Sequence, residues 1–151
     1  LIQGTVHDEG ASVMGGIAGH AGLFSNATDL AKLYEMLLNK GEWEGKKYFN
    51  PSTIEVFTAY NTENSRRGLG FDKPEKNNAS LKDPYPSASV SPSTFGHTGF
   101  TGTMTWADPE KEIVYVFLSN RTYPDSNAAN KLSKENIREN IQKVIYEAII
   151  E

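Results

Sequence analysis

Three histidines and a set of serines are the side chains of this chain that could carry proton-transfer or nucleophilic chemistry. Histidine titrates nearest to neutral pH, and a serine hydroxyl becomes a nucleophile when a base takes its proton. His7, His20 and His97 are far apart in the sequence, and none belongs to an H-E-x-x-H pair. No serine has a lysine three residues later, and no G-x-S-x-G segment occurs. The chain therefore offers proton carriers without a recognisable nucleophile.

Metal and phosphate sites have weak support in the sequence. His7, Asp8 and Glu9 combine an imidazole with two carboxylates, which suits a divalent ion, but an acidic turn is the simpler explanation. The phosphate-binding pattern G-x-x-x-x-G-K-[ST] is absent, and Gly68-Leu69-Gly70 has Lys73 where G-x-G-x-x-G needs its last glycine. We therefore expect neither a metal nor a cofactor.

Composition limits the class of protein. The chain has 151 residues, with 15 Lys plus Arg against 19 Asp plus Glu, so its net charge is −4. This length suits one domain with a core, and the negative charge disfavours nucleic-acid binding, because phosphate neutralisation needs surplus Lys and Arg. Cys is absent, which excludes disulfides, thiol nucleophiles and thiolate metal sites. No segment approaches the ~18 apolar residues of a membrane-spanning helix.

Two helices are predicted in the N-terminal half. The first has one apolar stripe at helical spacing, made of Leu30, Leu33, Tyr34, Leu37 and Leu38. Ser25 is expected to cap its start, and Gly41 is expected at the C′ position after its end. Asn50-Pro51 predicts the start of the second helix, with Asn50 as its cap.

The C-terminal half alternates loop, strands and helix. Prolines and serines in residues 72–94 predict a long surface loop. Thr101–Trp106 and Ile113–Leu118 are rich in Thr, aromatic and β-branched residues and flank a turn, which predicts a β-hairpin. A last helix is expected after a cap at Ser133, and its apolar stripe is Ile137, Ile141, Val144, Ile145, Ala148 and Ile149. This order predicts an α+β fold with an antiparallel sheet flanked by helices.

Two segments carry a family resemblance. One is GGIAGHAGLFS at residues 15–25, which leads into the first predicted helix. The other is FGHTGFTG at residues 95–102, followed by the hairpin and by LSNRTYP at residues 118–124. In this order they resemble the C-terminal part of the serine β-lactamase-related hydrolases, a family that includes class C β-lactamases, penicillin-binding D,D-peptidases and esterases. The resemblance covers nearly the whole chain and implies a partial β-lactamase/transpeptidase-like fold.

That family uses three catalytic motifs. Of these three, the sequence of this chain contains only the third. His97-Thr98-Gly99, hereafter the third motif, matches the H-x-G form of K-T-G on a sheet strand. The S-x-x-K motif with the nucleophile is missing. Tyr48-Phe49-Asn50 is a literal Y-x-N, but it follows the glycine-rich segment that the family's motif precedes. The resemblance therefore implies that residues 1–151 are the C-terminal portion of a longer domain whose nucleophile lies on the absent N-terminal part.

The resemblance also implies roles for the third motif and its neighbour. The backbone N–H of Phe100 corresponds to an oxyanion donor, which any residue except proline can supply. Gly99 lets an acyl group lie against the strand, and Thr98 can hydrogen-bond the substrate. A His97 that is largely neutral, where K-T-G has a fixed charge, favours a peptidase, amidase or esterase over β-lactam hydrolysis. A hydrogen-bonded structural histidine is the alternative for His97.

Three further residues are candidate substrate contacts. His20 lies, by the resemblance, near the floor of the cleft, although a structural histidine in a glycine-rich turn explains it equally well. Asn120 could reach the substrate or merely end its strand. Arg121 could supply the positive charge that His97 lacks, if its side chain turns towards the cleft.

Two classes of function stay open at this point. In the first, the chain is part of a serine acyl hydrolase related to the cell wall, which takes a small-molecule or peptide substrate and is inactive without the remainder of its own polypeptide. In the second, it is a non-catalytic domain that binds muropeptide or another chain. The resemblance implies an extracytoplasmic, periplasmic location, and some relatives of this kind are fused behind a β-N-acetylglucosaminidase-type glycosidase.

The absence of the N-terminal part that the resemblance implies also predicts an exposed sheet edge. In the family, N-terminal strands pair beside the last strand of this hairpin. Without them, Ile113–Leu118 becomes an apolar edge with unpaired backbone groups, which favours association. We expect self-association through this edge or cover from the segment Leu1–Val6.

Overall fold

The computed structural model describes residues 3–126 and 130–149. Its helices are α1 (Glu9–Val13), α2 (Ala27–Leu38), α3 (Pro51–Thr58), α4 (Lys131–Lys134) and α5 (Ile137–Glu147), with a 3₁₀ turn at Asn78–Ser80. Its strands are β1 (Glu42–Trp43), β2 (Lys46–Lys47), β3 (Phe95–Thr98), β4 (Met104–Asp108) and β5 (Ile113–Phe117). The predicted α+β class is confirmed. No helix within these residues has the length and apolar character to span a membrane.

The main sheet places the third motif at the end of an outer strand. Strands β3, β4 and β5 are antiparallel and adjacent in that order, while β1 and β2 form a separate small hairpin. His97 lies opposite Thr105, and Thr98 lies opposite Met104. The predicted hairpin is β4–β5, but its first strand begins at Met104 rather than Thr101, because residues 99–103 form the turn that joins β3 to β4.

The sheet is covered on both faces by apolar side chains. Helix α2 packs on one face, where the core residues are Tyr34, Phe95 and Ala107, with Leu37, Leu38, Phe71 and Val114 against them. The core residues of the other face are Met104, Trp106 and Tyr115, with Tyr85 and Phe117 against them. Trp106 and Ala107, successive residues of β4, therefore project to opposite faces, as strand geometry requires.

Residues 72–94 bury more polar groups than a surface loop would. Apart from the 3₁₀ turn the segment has no regular element, yet it carries Tyr85 onto the sheet. The Asn78 side chain is buried and donates to the carbonyl oxygens of Pro86 and Ser87, each at 3.1 Å. The polar composition of residues 72–94 did not indicate this burial. The partners of the buried side chain are backbone groups that only the folded loop brings together.

Both ends of α2 differ by one residue from the sequence prediction. Asn26, not Ser25, caps the helix, and its Oδ1 accepts from the Asp29 N–H at 3.0 Å. Lys40 occupies the C′ position with a φ of +54°, and Gly41 follows it. Gly41 is still required there, because a Cβ would lie 2.5 Å from a backbone oxygen.

The C-terminal region is two helices rather than one, and its apolar stripe faces outwards. Ser133 does not begin the long helix, since Asn130 caps α4 and Asn136, in a left-handed conformation, separates α4 from α5. The inner face of α5 is polar, with Arg138, Glu139 and Gln142 buried. The predicted stripe is 40–63% exposed at Ile141, Val144, Ile145 and Ile149. Helical periodicity located the stripe correctly but could not say which face would meet the sheet.

The free edge of β5 leads to a prediction about association. Strand β5 is at the end of the sheet order, and no described residue pairs with its outer edge. Residues 3–6 add no strand there, and Leu1 and Ile2 lie outside the described residues. We expect the chain to self-associate with rising concentration in sedimentation velocity, and Val116→Lys in β5 to weaken the association. The matched control Val56→Lys, on the exposed part of α3, should leave it unchanged; a wild-type monomer at every concentration would contradict the prediction.

Asp108, at the end of β4, joins three segments of the chain. It is 1% exposed, and its Oδ2 accepts from the Ser91 N–H and the Tyr146 hydroxyl, each at 2.9 Å. Its Oδ1 accepts from the Glu110 N–H at 3.1 Å in the turn before β5. Burial alone would raise the pKa of Asp108, but the hydrogen bonds from Ser91 and Tyr146 outweigh it and lower the pKa below its ordinary value.

Substituting Asp108 should therefore reduce stability in a pH-dependent way. We expect Asp108→Asn to lower the free energy of unfolding by about 2–3 kcal/mol at pH 7, because buried donors lose a charged acceptor. A lowered pKa means that this stabilisation is complete above ~4, the unfolded value, and is lost as the pH falls through the folded value. Urea unfolding from pH 3 to pH 7 measures it, with the exposed Asp83→Asn as control. An equal effect of both substitutions would contradict the assignment.

Candidate functional site

A cavity of about 980 Å³ lies beside the end of β3. Gly99 and Phe100 line it at the β3–β4 turn, and His20 and Asn120 line it from the glycine-rich segment and the segment after β5. Four residues selected from the sequence therefore meet at one cavity. His97, Thr98 and Arg121 lie close to it in the fold but are not among its lining residues.

The Phe100 N–H is an unpartnered backbone donor on a residue that lines this cavity. No described residue accepts a hydrogen bond from it, whereas the N–H of the preceding Gly99 donates to the Thr103 carbonyl oxygen at 2.8 Å. The Phe100 side chain is 65% exposed. An unpaired backbone N–H at a cavity wall can stabilise negative charge that develops on an oxygen.

Arg121 contacts Phe100, a lining residue of the cavity, without lining the cavity itself. Its guanidinium lies 4.3 Å from the centre of the Phe100 ring, and its backbone N–H donates to the Thr101 carbonyl oxygen at 2.9 Å. The His7 ring stacks on the same phenyl ring, with 5.7 Å between their centres. The positive charge of Arg121 is therefore engaged with Phe100 in this conformation and does not point into the cavity.

His20 is paired with Asp8, and both residues line the cavity. Its Nε2 lies 3.0 Å from Asp8 Oδ1, and the same oxygen accepts from the Ala11 N–H at 2.7 Å as the cap of α1. The hydrogen bond from Ala11 lowers the pKa of Asp8, and the one from His20 lowers it further. His20 thus lines the cavity and also fixes the turn before α1. Within residues 3–126 and 130–149, no three His, Asp or Glu side chains are grouped so that they could hold a metal ion.

Asn120 lines the cavity. Its Oδ1 accepts from the Thr122 hydroxyl at 2.8 Å, so the NH₂ group is the part left for a ligand. The strand β5 ends at Phe117, so Asn120 does not terminate it.

His97 and Thr98 are held by residues that the sequence did not single out. His97 Nε2 lies 2.8 Å from Arg67 Nη1, and Thr98 Oγ1 lies 2.9 Å from the Tyr85 hydroxyl. Arg67 is half exposed, yet its Nε lies 2.8 Å from the buried carboxylate of Asp72. No local pattern could have identified this pair, since Arg67 and His97 are thirty positions apart.

Comparison with known proteins gives a consistent assignment. The profile of the Beta-lactamase family matches residues 3–136. An Escherichia coli (strain K12) protein named "Putative D-alanyl-D-alanine carboxypeptidase" is 41% identical over 142 residues, which are 93% of this chain and 32% of that protein. A Salmonella enteritidis PT4 protein of the same name is 42% identical over 137 residues, which are 90% of this chain and 31% of that protein. The chain spans about a third of the length of these curated relatives.

A similar solved structure is a crystal structure described as a "putative beta-lactamase" from Bacteroides dorei. It superimposes with a TM-score of 0.46 at 14% sequence identity, and the match covers 84% of this chain and 47% of that one.

Proposed function

Because the chain belongs to the beta-lactamase family, we propose that it is the C-terminal portion of a serine acyl hydrolase that acts on cell-wall peptides. Its own contribution is the third motif and one oxyanion donor. The observation that carries this proposal is the unpartnered Phe100 N–H beside the third motif, on the wall of a cavity of about 980 Å³. That volume falls at the upper end of the range typical for ligand sites, about 300–1,000 Å³.

In the proposed reaction the serine comes from outside these residues. Its deprotonated oxygen forms a bond to the acyl carbon, and the electron pair of the carbonyl double bond moves onto the oxygen. The Phe100 N–H donates to this former carbonyl oxygen. Collapse of the tetrahedral intermediate breaks the bond to the leaving amine or alcohol, which takes the proton that a base outside these residues removed from the serine. Water then hydrolyses the acyl-serine. Gly99 lines the same wall, and the space that a side chain there would need is taken by Thr103 Oγ1.

The substrate class is proposed from the relatives and the site together. The relatives' printed names specify a D-alanyl-D-alanine carboxypeptidase. We take a peptide with this terminus as the candidate substrate, and an extracytoplasmic location follows for an enzyme that meets such a peptide. Asn120 and His20, which line the same cavity as Phe100, are the candidate contacts for its amide groups.

Active-site labelling tests the proposal. A longer protein that carries this chain after an S-x-x-K segment should form a covalent adduct with a fluorescent penicillin or a fluorophosphonate. Replacing the serine of that segment by alanine is the control and should abolish the adduct. A folded protein that forms no adduct with either reagent, but binds muropeptide, would show a binding domain instead.

The chain by itself should be inactive. None of its serines has a lysine three residues later, so no hydroxyl is placed with the base that the family's chemistry requires. We expect hydrolysis of p-nitrophenyl acetate and of nitrocefin by the purified chain to equal the buffer rate. Turnover that a single substitution within the chain abolishes would contradict this.

A further inference from the structure

A single buried carboxylate lies behind the third motif. Asp72 is 2% exposed, and its backbone pairs with Gly96 of β3. The Asp72 N–H donates to the Gly96 carbonyl oxygen at 2.7 Å, and the Gly96 N–H donates to the backbone carbonyl oxygen of Asp72 at 3.0 Å. These two bonds fix the carboxylate beside the strand that carries His97 and Thr98.

The Asp72 carboxylate is connected to the third motif by two sets of contacts. In the first set, Arg67 contacts both Asp72 and His97. Arg67 Nε is 2.8 Å from Asp72 Oδ1, and Arg67 Nη1 is 2.8 Å from His97 Nε2. A guanidinium can only donate, so His97 Nε2 accepts and the ring proton must be on Nδ1. Nδ1 lies 2.6 Å from the Thr98 carbonyl oxygen, to which it donates. Both ring nitrogens are therefore engaged, and the ring is neutral.

In the second set, Tyr85 contacts both Asp72 and Thr98. The Tyr85 hydroxyl donates to Asp72 Oδ2 at 3.4 Å and lies 2.9 Å from Thr98 Oγ1. The geometry allows either hydroxyl to donate in the bond between Tyr85 and Thr98. We assign the Tyr85 proton to the charged acceptor Asp72, which leaves Thr98 as the donor in that bond. The Arg66 guanidinium lies over the Tyr85 ring, 4.5 Å from its centre.

We propose that Asp72, Arg67 and Tyr85 are positioning residues for the third motif. They hold His97 as the neutral Nδ1–H tautomer and direct the Thr98 hydroxyl proton towards Tyr85. The fixed positive charge beside the third motif is then that of Arg67, whose side chain is 53% exposed, and His97 transfers no proton. The catalytic meaning of this assignment rests on the proposed function, but the hydrogen-bond directions do not.

Nuclear magnetic resonance of the ¹⁵N-labelled chain near pH 8 tests the first set of contacts without any activity assay. The ring nitrogens of His97, assigned with His97→Asn, should show the Nδ1–H pattern. In Arg67→Gln the ratio of Nδ1–H to Nε2–H should fall roughly tenfold, because a charged donor to Nε2 is lost. Asp72→Asn should shift the ratio in the same direction, while the matched control Arg121→Gln, whose guanidinium lies on Phe100, should not.

Tyr85→Phe tests the second set of contacts in the same spectra. We expect a slowly exchanging Thr98 hydroxyl proton in the wild type and its loss in Tyr85→Phe. An Nε2–H ring in the wild type, or an unchanged tautomer ratio in Arg67→Gln, would overturn the proposal. Arg67 is half exposed, so its variant should fold even if Asp72→Asn does not. Failure of covalent labelling in the longer protein would leave these spectra unaffected, so the two proposals fail separately.

Discussion

Phe100→Pro should reduce acyl transfer by roughly 10²–10³-fold in a longer protein that carries this chain together with the nucleophilic serine. Proline has no backbone N–H, so the substitution removes the one cavity-lining donor assigned here to the oxyanion. Its loss raises the barrier of the chemical step, because the donor is needed most when charge is on the oxygen. The effect should therefore appear in kcat, measured with a D-alanyl-D-alanine peptide or with p-nitrophenyl acetate.

Phe100→Ala is the matched control for this substitution. Alanine keeps the backbone N–H and removes the phenyl ring, along with its contacts to His7 and Arg121. We expect kcat to stay within about tenfold of the wild-type value, since the oxyanion donor is retained. If both variants lost activity equally, with unchanged thermal unfolding, the ring rather than the N–H would be the functional group and the oxyanion assignment would be wrong.

Gly96→Ala should destabilise the fold by about 3 kcal/mol or more, the largest effect on stability that we expect. A Cβ at Gly96 would collide with the Thr105 carbonyl oxygen and would come within 2.7 Å of Trp106 Cδ2. Both obstacles belong to β4, the middle strand of the sheet, and neither is the movable end of a flexible side chain. The strand β3 would have to move away from β4 to admit a single methyl group.

Thermal unfolding measures this effect, and Gly19→Ala provides its control. A Cβ at Gly19 meets nothing within 4 Å, and the residue has no positive φ, so we expect its stability to change by no more than about 0.5 kcal/mol. For a chain of this size the Gly96 substitution should lower the Tm by roughly 10 °C. Equal Tm values for the two variants would show that β3 does not pack against β4 as described.

Gly96 also links stability to the site. The same residue exchanges two backbone hydrogen bonds with Asp72, on the side of β3 away from β4. A shift of β3 would therefore move the carboxylate behind the third motif. We infer that Gly96 serves both the sheet packing and the position of the third motif, two demands that a larger residue could not meet.

The amino-acid sequence by itself determined the family and the class of fold, and it predicted which residues form the third motif. These features are local: His97-Thr98-Gly99 is one contiguous pattern, and the α2 stripe and the β4–β5 hairpin arise from spacing within short segments. The absence of a serine with a lysine three residues later can also be read directly from the printed letters. Prediction from such patterns succeeds because neighbours along the chain supply all the information.

Only the tertiary structure decided which groups meet. The contacts of Arg67 with His97, of Asp72 with Tyr85 and of Asp108 with Tyr146 join segments that are distant in sequence. A polar side chain looks the same in sequence whether it faces water or a buried partner, so the sequence could not show that Arg67 pairs with Asp72 or that Arg138, Glu139 and Gln142 of α5 are buried. Hydrogen-bond partners are fixed by how strands, loops and helices pack, and that packing depends on the whole chain at once.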